Sequence, residues 1–187
     1  RPIVFVSDAH LGSAAGRPDR EDLLIHLMRE LRGSAAALFV MGDLFDFWFE
    51  YRHAIPKGTF RIARALADLV ESGVPTAYFG GNHDFWVGSF LRQELGLAVF
   101  DEPATAVLQG RRVRLAHGDG LGPGDGGYKA LKRVLRAGWA VSGYRSLHPD
   151  LGIPFARRVS AFSHRHTEAR EVLLPRVLRD IGRAHLR

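Results

Sequence analysis

Four short polar motifs in the first 119 residues carry side chains that could do chemistry. They supply carboxylates, imidazoles and one amide, and the sequence has no cysteine that could add a thiolate. This set of groups suits hard or borderline divalent cations such as manganese, magnesium, iron or zinc. The motifs are Asp8-x-His10, Gly42-Asp43, Gly81-Asn82-His83-Asp84 and His117-Gly118-Asp119.

Nearly even spacing separates these motifs along the chain. Asp43 follows Asp8 by 35 residues, Asn82 follows Asp43 by 39, and His117 follows Asn82 by 35. A strand–helix–strand unit takes about 30 residues or more, so each motif is expected to return the chain to one edge of a parallel sheet. Ligands of open α/β sheets bind at the carboxyl ends of the strands. We therefore predict that the four motifs converge in one crevice.

The converging groups divide between two cations. Carboxylates held close together repel each other unless cations lie between them. Asp8 and His10 are predicted to hold a first cation, and Asn82 and His117 a second. Asp43 is predicted to bridge the two. A pair of cations about 3.5–4 Å apart can hold a hydroxide and a phosphoryl oxygen together.

His83 and Asp84 stand next to a predicted ligand and have a different expected role. The His83 imidazole could donate a proton to a leaving oxygen or stabilise charge in the transition state. Asp84 could orient that imidazole, as carboxylates do beside many metal sites. Each motif taken alone is more typical of an ordinary turn or helix cap. Their order, spacing and position after strands together favour the metal centre.

Strands and helices alternate in the part of the chain that carries the motifs. Short β-branched or aromatic segments predict strands, and apolar residues at helical spacing predict helices. The alternation favours a parallel sheet covered by helices. The predicted strands are 3–6, 36–41, 74–79, 105–109 and 112–116, and the predicted helices are 20–32, 57–72 and a short one over 88–96.

Charge divides the 187 residues into two parts. The net charge is +6, with 46% hydrophobic and 25% charged residues, which excludes wholesale disorder. Residues 128–187 hold 13 Lys and Arg against 4 Asp and Glu, whereas residues 1–127 hold 13 against 16. We predict a core domain over 1–119 and a basic cap over 120–187, whose helices are interrupted by glycine and proline. The basic part attracts phosphates, from a nucleic acid, anionic lipid or phosphorylated substrate.

The ordered motifs resemble those of the calcineurin-like metallophosphoesterases, whose pattern runs D-x-H, G-D, G-N-H-D/E, H and G-H-x-H. Residues 42–48 (GDLFDFW), 117–129 (HGDGLGPGDGGYK) and 147–149 (LHP) are similar to the branch of UDP-2,3-diacylglucosamine pyrophosphatases in lipid A synthesis. This resemblance implies a four-layer α/β/β/α sandwich with a helical cap and two divalent metal ions, usually Mn²⁺. It also implies hydrolysis of the substrate's pyrophosphate to UMP and 2,3-diacylglucosamine 1-phosphate (lipid X).

The same resemblance assigns roles to individual positions. His83 matches a histidine beside the metals, and Asp125 matches an aspartate that contacts the substrate. Tyr128 and Lys129 are expected near the substrate headgroup. The positions that match metal ligands are Asp8, His10, Asp43, Asn82 and His117.

One element of the family pattern, the late G-H-x-H, has no clear counterpart. Ser163-His164-Arg165-His166 has the right histidine spacing, but serine replaces glycine. His164 and His166 are therefore an alternative ligand pair. We expect instead that the last strands of the core, with their histidines, are missing from this sequence.

The basic cap and the family resemblance together predict the binding partners of the protein. The cap mixes cations with apolar side chains, which suits a lipid-linked nucleotide sugar and an anionic membrane surface. We expect a cytoplasmic enzyme peripheral to the inner membrane, with no nucleic acid and no protein partner. Two alternatives remain. One is another dinuclear metallophosphoesterase, a phosphodiesterase or nuclease whose cap binds a phosphate backbone. The other is a catalytically impaired binding module on the same fold.

Overall fold

Four short strands in the first part of the chain form a parallel sheet. The computed structural model describes residues 1–13, 19–101, 103–118 and 126–159. Within it, β1 (Ile3–Val6), β2 (Ala37–Val40), β3 (Thr76–Phe79) and β4 (Ala98–Phe100) pair in that order. In the register, Val6 stands opposite Val40, and Val40 stands opposite Tyr78. The first three strands therefore end at nearly the same level, and the loops that follow them start side by side.

Three helices accompany this sheet: α1 (Arg20–Leu31), α2 (Phe60–Glu71) and α3 (Phe90–Gln93). In α2 the buried residues include Ile62, Leu66 and Leu69, at the spacing of one helical face. They join Leu38 and Val40 of the sheet in the main apolar core. The helical face of the sheet is thus the side on which the largest part of the core lies.

A β-hairpin packs against the opposite face of the sheet. Its strands, β5 (Ala104–Leu108) and β6 (Arg111–Leu115), are antiparallel. Gln109 and Gly110 between them have φ angles of 49° and 79°, the left-handed conformation that a tight hairpin turn needs. Leu115 packs with Ala77 and Phe79 in a second, smaller core. This architecture confirms the mixed α/β class, while the fourth layer of the expected sandwich stays a prediction.

Two differences from the predicted elements affect how the motifs are placed. The short helix is confined to Phe90–Gln93, and β4 follows it where no strand was predicted. Consequently His117 does not follow a strand of the parallel sheet, because it comes after β6 of the hairpin. The 35-residue interval before His117 therefore contains a helix, a strand and a hairpin, and the repeated-unit explanation is wrong for this motif.

The chain divides into two compact units, Arg1–His117 and Gly118–Arg187. In the described part of the second unit, α4 (Gly126–Arg136) and α5 (Gly138–Arg145) precede a helical stretch over 149–159. Gly138 and Pro149 each begin a helical segment, as predicted. Gly143, Gly152 and Pro154 lie inside helical segments, so the prediction that they interrupt the helices is wrong. None of the helices in these described ranges has the length and apolar character needed to cross a membrane.

Candidate metal centre

The loops after β1 and β2 continue side by side beyond the ends of the strands. The Asp8 amide donates to the carbonyl of Gly42 at 3.2 Å, and the His10 amide donates to that of Asp43 at 2.9 Å. Asp8, His10 and Asp43 all have left-handed φ angles, of 56°, 45° and 52°, a region in which Asp, Asn and His are enriched among non-glycine residues. One potential ligand atom from each of these three side chains lies within 4.8 Å of the other two.

The Asp43 carboxylate lies between two imidazoles. Its Oδ2 is 3.8 Å from His10 Nε2 and 3.4 Å from His117 Nε2. Its Oδ1 accepts a hydrogen bond from the His83 backbone amide at 2.9 Å. One oxygen therefore holds the loop after β3, while the other faces ring nitrogens that arrive from separate parts of the chain. This is the arrangement that a bridging ligand requires.

His117 and Asn82 present acceptor atoms to the same region. His117 Nδ1 lies 2.8 Å from the carbonyl oxygen of Met41. A carbonyl only accepts, so Nδ1 carries the proton and Nε2 of the neutral ring offers a lone pair. That Nε2 faces Asn82 Oδ1 at 3.2 Å as well as the Asp43 carboxylate. With the His117 ring neutral, three acceptor atoms converge here, and a cation between them would satisfy all three, so these residues fit a divalent metal ion.

Two buried carboxyl groups of the site, those of Asp43 and Asp84, have pKa values shifted in opposite directions. Burial alone would raise the pKa of Asp43, but the hydrogen bond and charge that a protonated His117 supplies, with the His83 amide, lower this pKa below its ordinary value. For Asp84, burial and the nearby charge of Asp43 raise the pKa, against the opposing effect of the Tyr78 hydroxyl and backbone amides. Asp43 is thus the carboxylate whose surroundings favour the negative charge that a cation needs.

Asp84 does not orient the His83 imidazole, so that expectation is wrong. Its side chain is fully buried and accepts hydrogen bonds from the Asp43 amide at 3.1 Å and the Gly81 amide at 2.8 Å. Within the described part of the chain, its remaining partners are the Phe45 amide and the Tyr78 hydroxyl. The carboxylate points inward between the loops, away from the ring that it was expected to hold.

The backbone carbonyl of Asp46 orients the His83 ring instead. His83 Nδ1 lies 3.0 Å from this oxygen, so Nδ1 carries the proton and Nε2 is left for other partners. The ring meets that of His10 edge to face, with centroids 4.8 Å apart. His10, Asp46 and His83 form a second group whose potential ligand atoms lie within 4.8 Å of one another.

Asp46 is the residue that the sequence reasoning missed. It is buried, and its Oδ1 lies 3.9 Å from His10 Nδ1. The sequence did contain a signal for Asp46, because this residue follows Asp43 by three positions within the segment 42–48 that carries the family resemblance. No spacing rule linked it to a histidine, because its neighbours in space come from the loops after two other strands.

Two glycines allow the loops of the site to approach each other. A Cβ atom on Gly81 would lie 2.1 Å from Asp43 Oδ1 and 2.6 Å from its amide nitrogen. A Cβ atom on Gly42 would lie 2.5 Å from His117 Nδ1, and Gly42 also has a φ angle of 96°. Neither position has room for a side chain, so the glycines of the G-D and G-N-H-D motifs are steric requirements of the site.

Several predicted site residues cannot be placed at this centre. Asp119, Asp125, His164 and His166 lie outside the described residues. Tyr128 and Lys129 belong to the first turns of α4, and the substrate contacts expected of them stay predictions. The structure therefore brings together five predicted metal ligands, which are Asp8, His10, Asp43, Asn82 and His117.

A parallel α/β sheet with carboxylates, imidazoles and an amide beyond its strand ends defines a metal-dependent phosphoesterase class. The model of the family described as Calcineurin-like phosphoesterase matches residues 1–151. The chain belongs to this family. Membership implies divalent metal ions, and the residues above are candidate ligands for them.

Curated relatives share one name. A UDP-2,3-diacylglucosamine hydrolase from Porphyromonas gingivalis is 38% identical over 174 residues, which cover 91% of this chain and 66% of that protein. The enzyme of the same name from Aeromonas hydrophila is 36% identical, over 87% of this chain and 63% of that protein. The one from Stenotrophomonas maltophilia is 36% identical, over 71% and 52%. The chain thus spans less than two thirds of the length of these relatives.

Among solved structures, a protein of unknown function from Aquifex aeolicus aligns with a TM-score of 0.46 and 17% identity, over 72% of this chain and 69% of that one. This likeness is too weak to support a conclusion.

Proposed function

We propose that this chain carries the metal centre of a hydrolase that cleaves the pyrophosphate of UDP-2,3-diacylglucosamine to UMP and 2,3-diacylglucosamine 1-phosphate. The observation that carries the proposal is the Asp43 carboxylate, whose Oδ2 faces the Nε2 atoms of both His10 and His117. The choice of substrate is supported by the relatives, which bear the name UDP-2,3-diacylglucosamine hydrolase and match up to 91% of the chain.

Two divalent ions, Mn²⁺ in this proposal, would share the site. Asp8 and His10 would hold one, Asn82 and His117 would hold the other, and Asp43 would bridge them. When bound, such a pair polarises a phosphoryl oxygen and provides a water-derived nucleophile at neutral pH. The tautomer set by Met41 directs the lone pair of His117 into the site, so this ligand is oriented before any ion arrives.

His83 is proposed to act on the substrate itself. Its Nδ1 proton is directed at the Asp46 carbonyl, which leaves Nε2 to interact with a phosphate oxygen. A protonated ring would donate there to the leaving oxygen or stabilise charge that develops on the phosphorus centre. Asp125, Tyr128 and Lys129 are proposed to contact the substrate headgroup, on the strength of the family resemblance alone.

The second unit is proposed to contact an anionic membrane, which would make the enzyme cytoplasmic and peripheral to the inner membrane. Trp139, Leu151 and Phe155 are exposed by 72%, 69% and 61%, more than large apolar side chains usually are. Arg133 and Arg136 lie in the last turn of the amphipathic α4. Exposed apolar groups next to cations suit the interface of an anionic bilayer.

The decisive experiment compares substrates in the presence of Mn²⁺. We expect the chain to release UMP from UDP-2,3-diacylglucosamine, and chelation of the metal to stop this release. Asp43→Asn should reduce turnover to background, whereas Asp22→Asn, at an exposed carboxylate paired with Arg61, should not. Cleavage of a generic phosphodiester or RNA without UMP release would favour the alternative phosphodiesterase or nuclease. A chain that binds no metal would favour a binding module.

A further inference from the structure

A tyrosine hydroxyl lies buried beneath the candidate metal centre, and no function has yet been attached to it. Tyr78 is the third residue of β3 and has no exposed surface. Its hydroxyl donates to Oδ2 of Asp84, which is equally buried. Leu38 and Val40, which pack in the same core, are apolar, and the buried Thr76 is a polar exception in the same strand as Tyr78. A phenylalanine would fill the same space, so the hydroxyl needs an explanation of its own.

Asp84 connects the two loops that carry the central ligands. Its Oδ1 accepts from the amides of Asp43 in the loop after β2 and of Gly81 in the loop after β3. Its Oδ2 accepts from the Phe45 amide at 3.3 Å. Within the described residues, Tyr78 is the one side chain that donates to this carboxylate. The hydroxyl therefore fixes the rotation of a group on which three backbone amides depend.

The link between the loops runs in both directions. Asp84 holds the backbone of Asp43, while the side chain of Asp43 accepts from the His83 amide at 2.9 Å. Asp43 also has a left-handed backbone, with φ at 52°, which persists only where surrounding contacts enforce it. Rotation of the Asp84 carboxylate would release the Asp43 amide and so move the carboxylate that faces both histidines.

We infer that Tyr78 is a positioning residue of the metal centre, which acts through Asp84 on the backbone of Asp43 and Gly81. The inference rests on the proposed function for its purpose, since the metal ions belong to that proposal. Burial and the neighbouring carboxylate also raise the pKa of Tyr78 well above its ordinary value, so the hydroxyl stays a donor throughout the physiological range.

The test replaces single hydroxyl groups in the same strand. Tyr78→Phe removes the donor to Asp84. Thr76→Val is the matched control, because the buried Thr76 hydroxyl has the Val74 carbonyl as its one partner among the described residues. Two quantities are measured: the amide hydrogen exchange of Asp43 and Gly81 in metal-free protein by NMR, and the affinity for Mn²⁺ by titration.

We expect Tyr78→Phe to weaken Mn²⁺ binding about tenfold, at the lower end of the effect of groups that support metal ligands. The Asp43 and Gly81 amides should exchange several-fold faster than in the wild type. Thr76→Val should leave both quantities unchanged. Wild-type exchange and affinity in Tyr78→Phe, or equal losses in both variants, would overturn the inference and make Tyr78 a core residue only.

A second variant tests the path through Asp84. In Asp84→Asn, the amide nitrogen must replace one carboxylate oxygen, and both oxygens accept from backbone donors. We expect faster exchange in the loop after β2 and weaker Mn²⁺ binding, with no further loss when Tyr78→Phe is added. Additive losses in the double variant would overturn the path. If Tyr78→Phe does not fold, the Asp84→Asn variant alone decides the question. Amide exchange and Mn²⁺ affinity equal to those of the wild type in Asp84→Asn would then overturn the path through Asp84.

The two proposals fail separately. A wild-type chain that binds no Mn²⁺ contradicts the proposed function, and the exchange of the Asp43 and Gly81 amides still decides the role of Tyr78. A wild-type chain that binds Mn²⁺ and hydrolyses the substrate, with Tyr78→Phe unchanged in affinity and exchange, contradicts only the inference.

Discussion

Backbone carbonyls orient two of the histidines at the site. Met41 fixes Nδ1 of His117 and Asp46 fixes Nδ1 of His83, so in each neutral ring Nε2 is the atom that carries the lone pair. The two rings nevertheless face different neighbours. His117 Nε2 points at the Asp43 carboxylate, whereas the His83 ring packs edge-on against that of His10. A hydrogen bond to a backbone carbonyl therefore orients both His117, a predicted metal ligand, and His83, a predicted acid.

Replacement of His83 by alanine separates these two roles. We expect turnover to fall by about 10²- to 10⁴-fold, the usual contribution of a positioned acid or base, with Mn²⁺ affinity close to that of the wild type. His26→Ala, at an exposed position of α1, is the control and should alter neither. Loss of Mn²⁺ from His83→Ala would instead identify His83 as a ligand.

Residue types were easier to predict than side-chain directions. Asp8, His10 and Asp43 were singled out because of their chemistry and their place after strands, and the structure brings them within reach of one cation. Asp84 was assigned to the wrong partner, because sequence order does not tell which way a side chain points in a tight turn. Asp46 was missed because its contacts depend on how three loops meet.

At the scale of elements, strand register positions the metal centre. Val6, Val40 and Tyr78 stand in line across β1, β2 and β3, so the loops beyond them begin together and hydrogen-bond to each other. The close approach of these loops is possible because Gly42 and Gly81 lack side chains. The geometry of the site is therefore decided by register and by two small residues as much as by the ligands.

Gly81→Ala tests this steric requirement. The new methyl group would overlap Asp43 Oδ1, so we expect the loops to separate, with a loss of about 1–3 kcal/mol in the free energy of unfolding and weaker Mn²⁺ binding. Gly138→Ala is the control, because a Cβ atom there has no neighbour within 4 Å. Unchanged Mn²⁺ affinity in Gly81→Ala would show that the loops have more freedom than the structure indicates. Thermal unfolding and metal titration measure the two effects.

Most elements were predicted from the sequence, and one three-residue strand was not. The first three strands and both long helices agree with the prediction to within a few residues. The strand Ala98–Phe100 was missed because three residues give no periodic signal and lie within a longer apolar segment. The explanation of the interval before His117 was wrong because this strand was missed and because the predicted strands 105–109 and 112–116 form a separate hairpin outside the parallel sheet.

At the scale of the whole molecule, the two units differ in net charge. The basic excess of residues 128–187 falls within the unit that starts at Gly118, while residues 1–127 are slightly acidic. The domain boundary after residue 119 stays a prediction, which composition suggests because net charge depends on totals and not on contacts. A site rich in carboxylates thus belongs to a different unit from the cations proposed to meet a membrane.

Vesicle binding tests the membrane proposal. We expect the chain to bind phosphatidylglycerol vesicles more tightly than phosphatidylcholine vesicles, and less tightly at high salt because screening weakens the attraction. Phe155→Ser should reduce binding about tenfold, since a phenylalanine that enters an apolar phase contributes about 1.5–3 kcal/mol. Phe60→Ser is the control, at a position of the other unit where the side chain is also largely exposed. Equal binding by the two variants would argue against contact through the second unit. Co-sedimentation measures these affinities.

The left-handed backbone at Asp8, His10 and Asp43 determines how a mutational scan of this site can be interpreted. Alanine carries a penalty of about 1–2 kcal/mol in that conformation, whereas aspartate and asparagine adopt it more readily. Alanine scanning at positions 8 and 43 would thus mix a backbone penalty with the loss of a ligand. Asparagine at these positions keeps the side-chain shape and changes mainly the charge, so it reports on ligation alone.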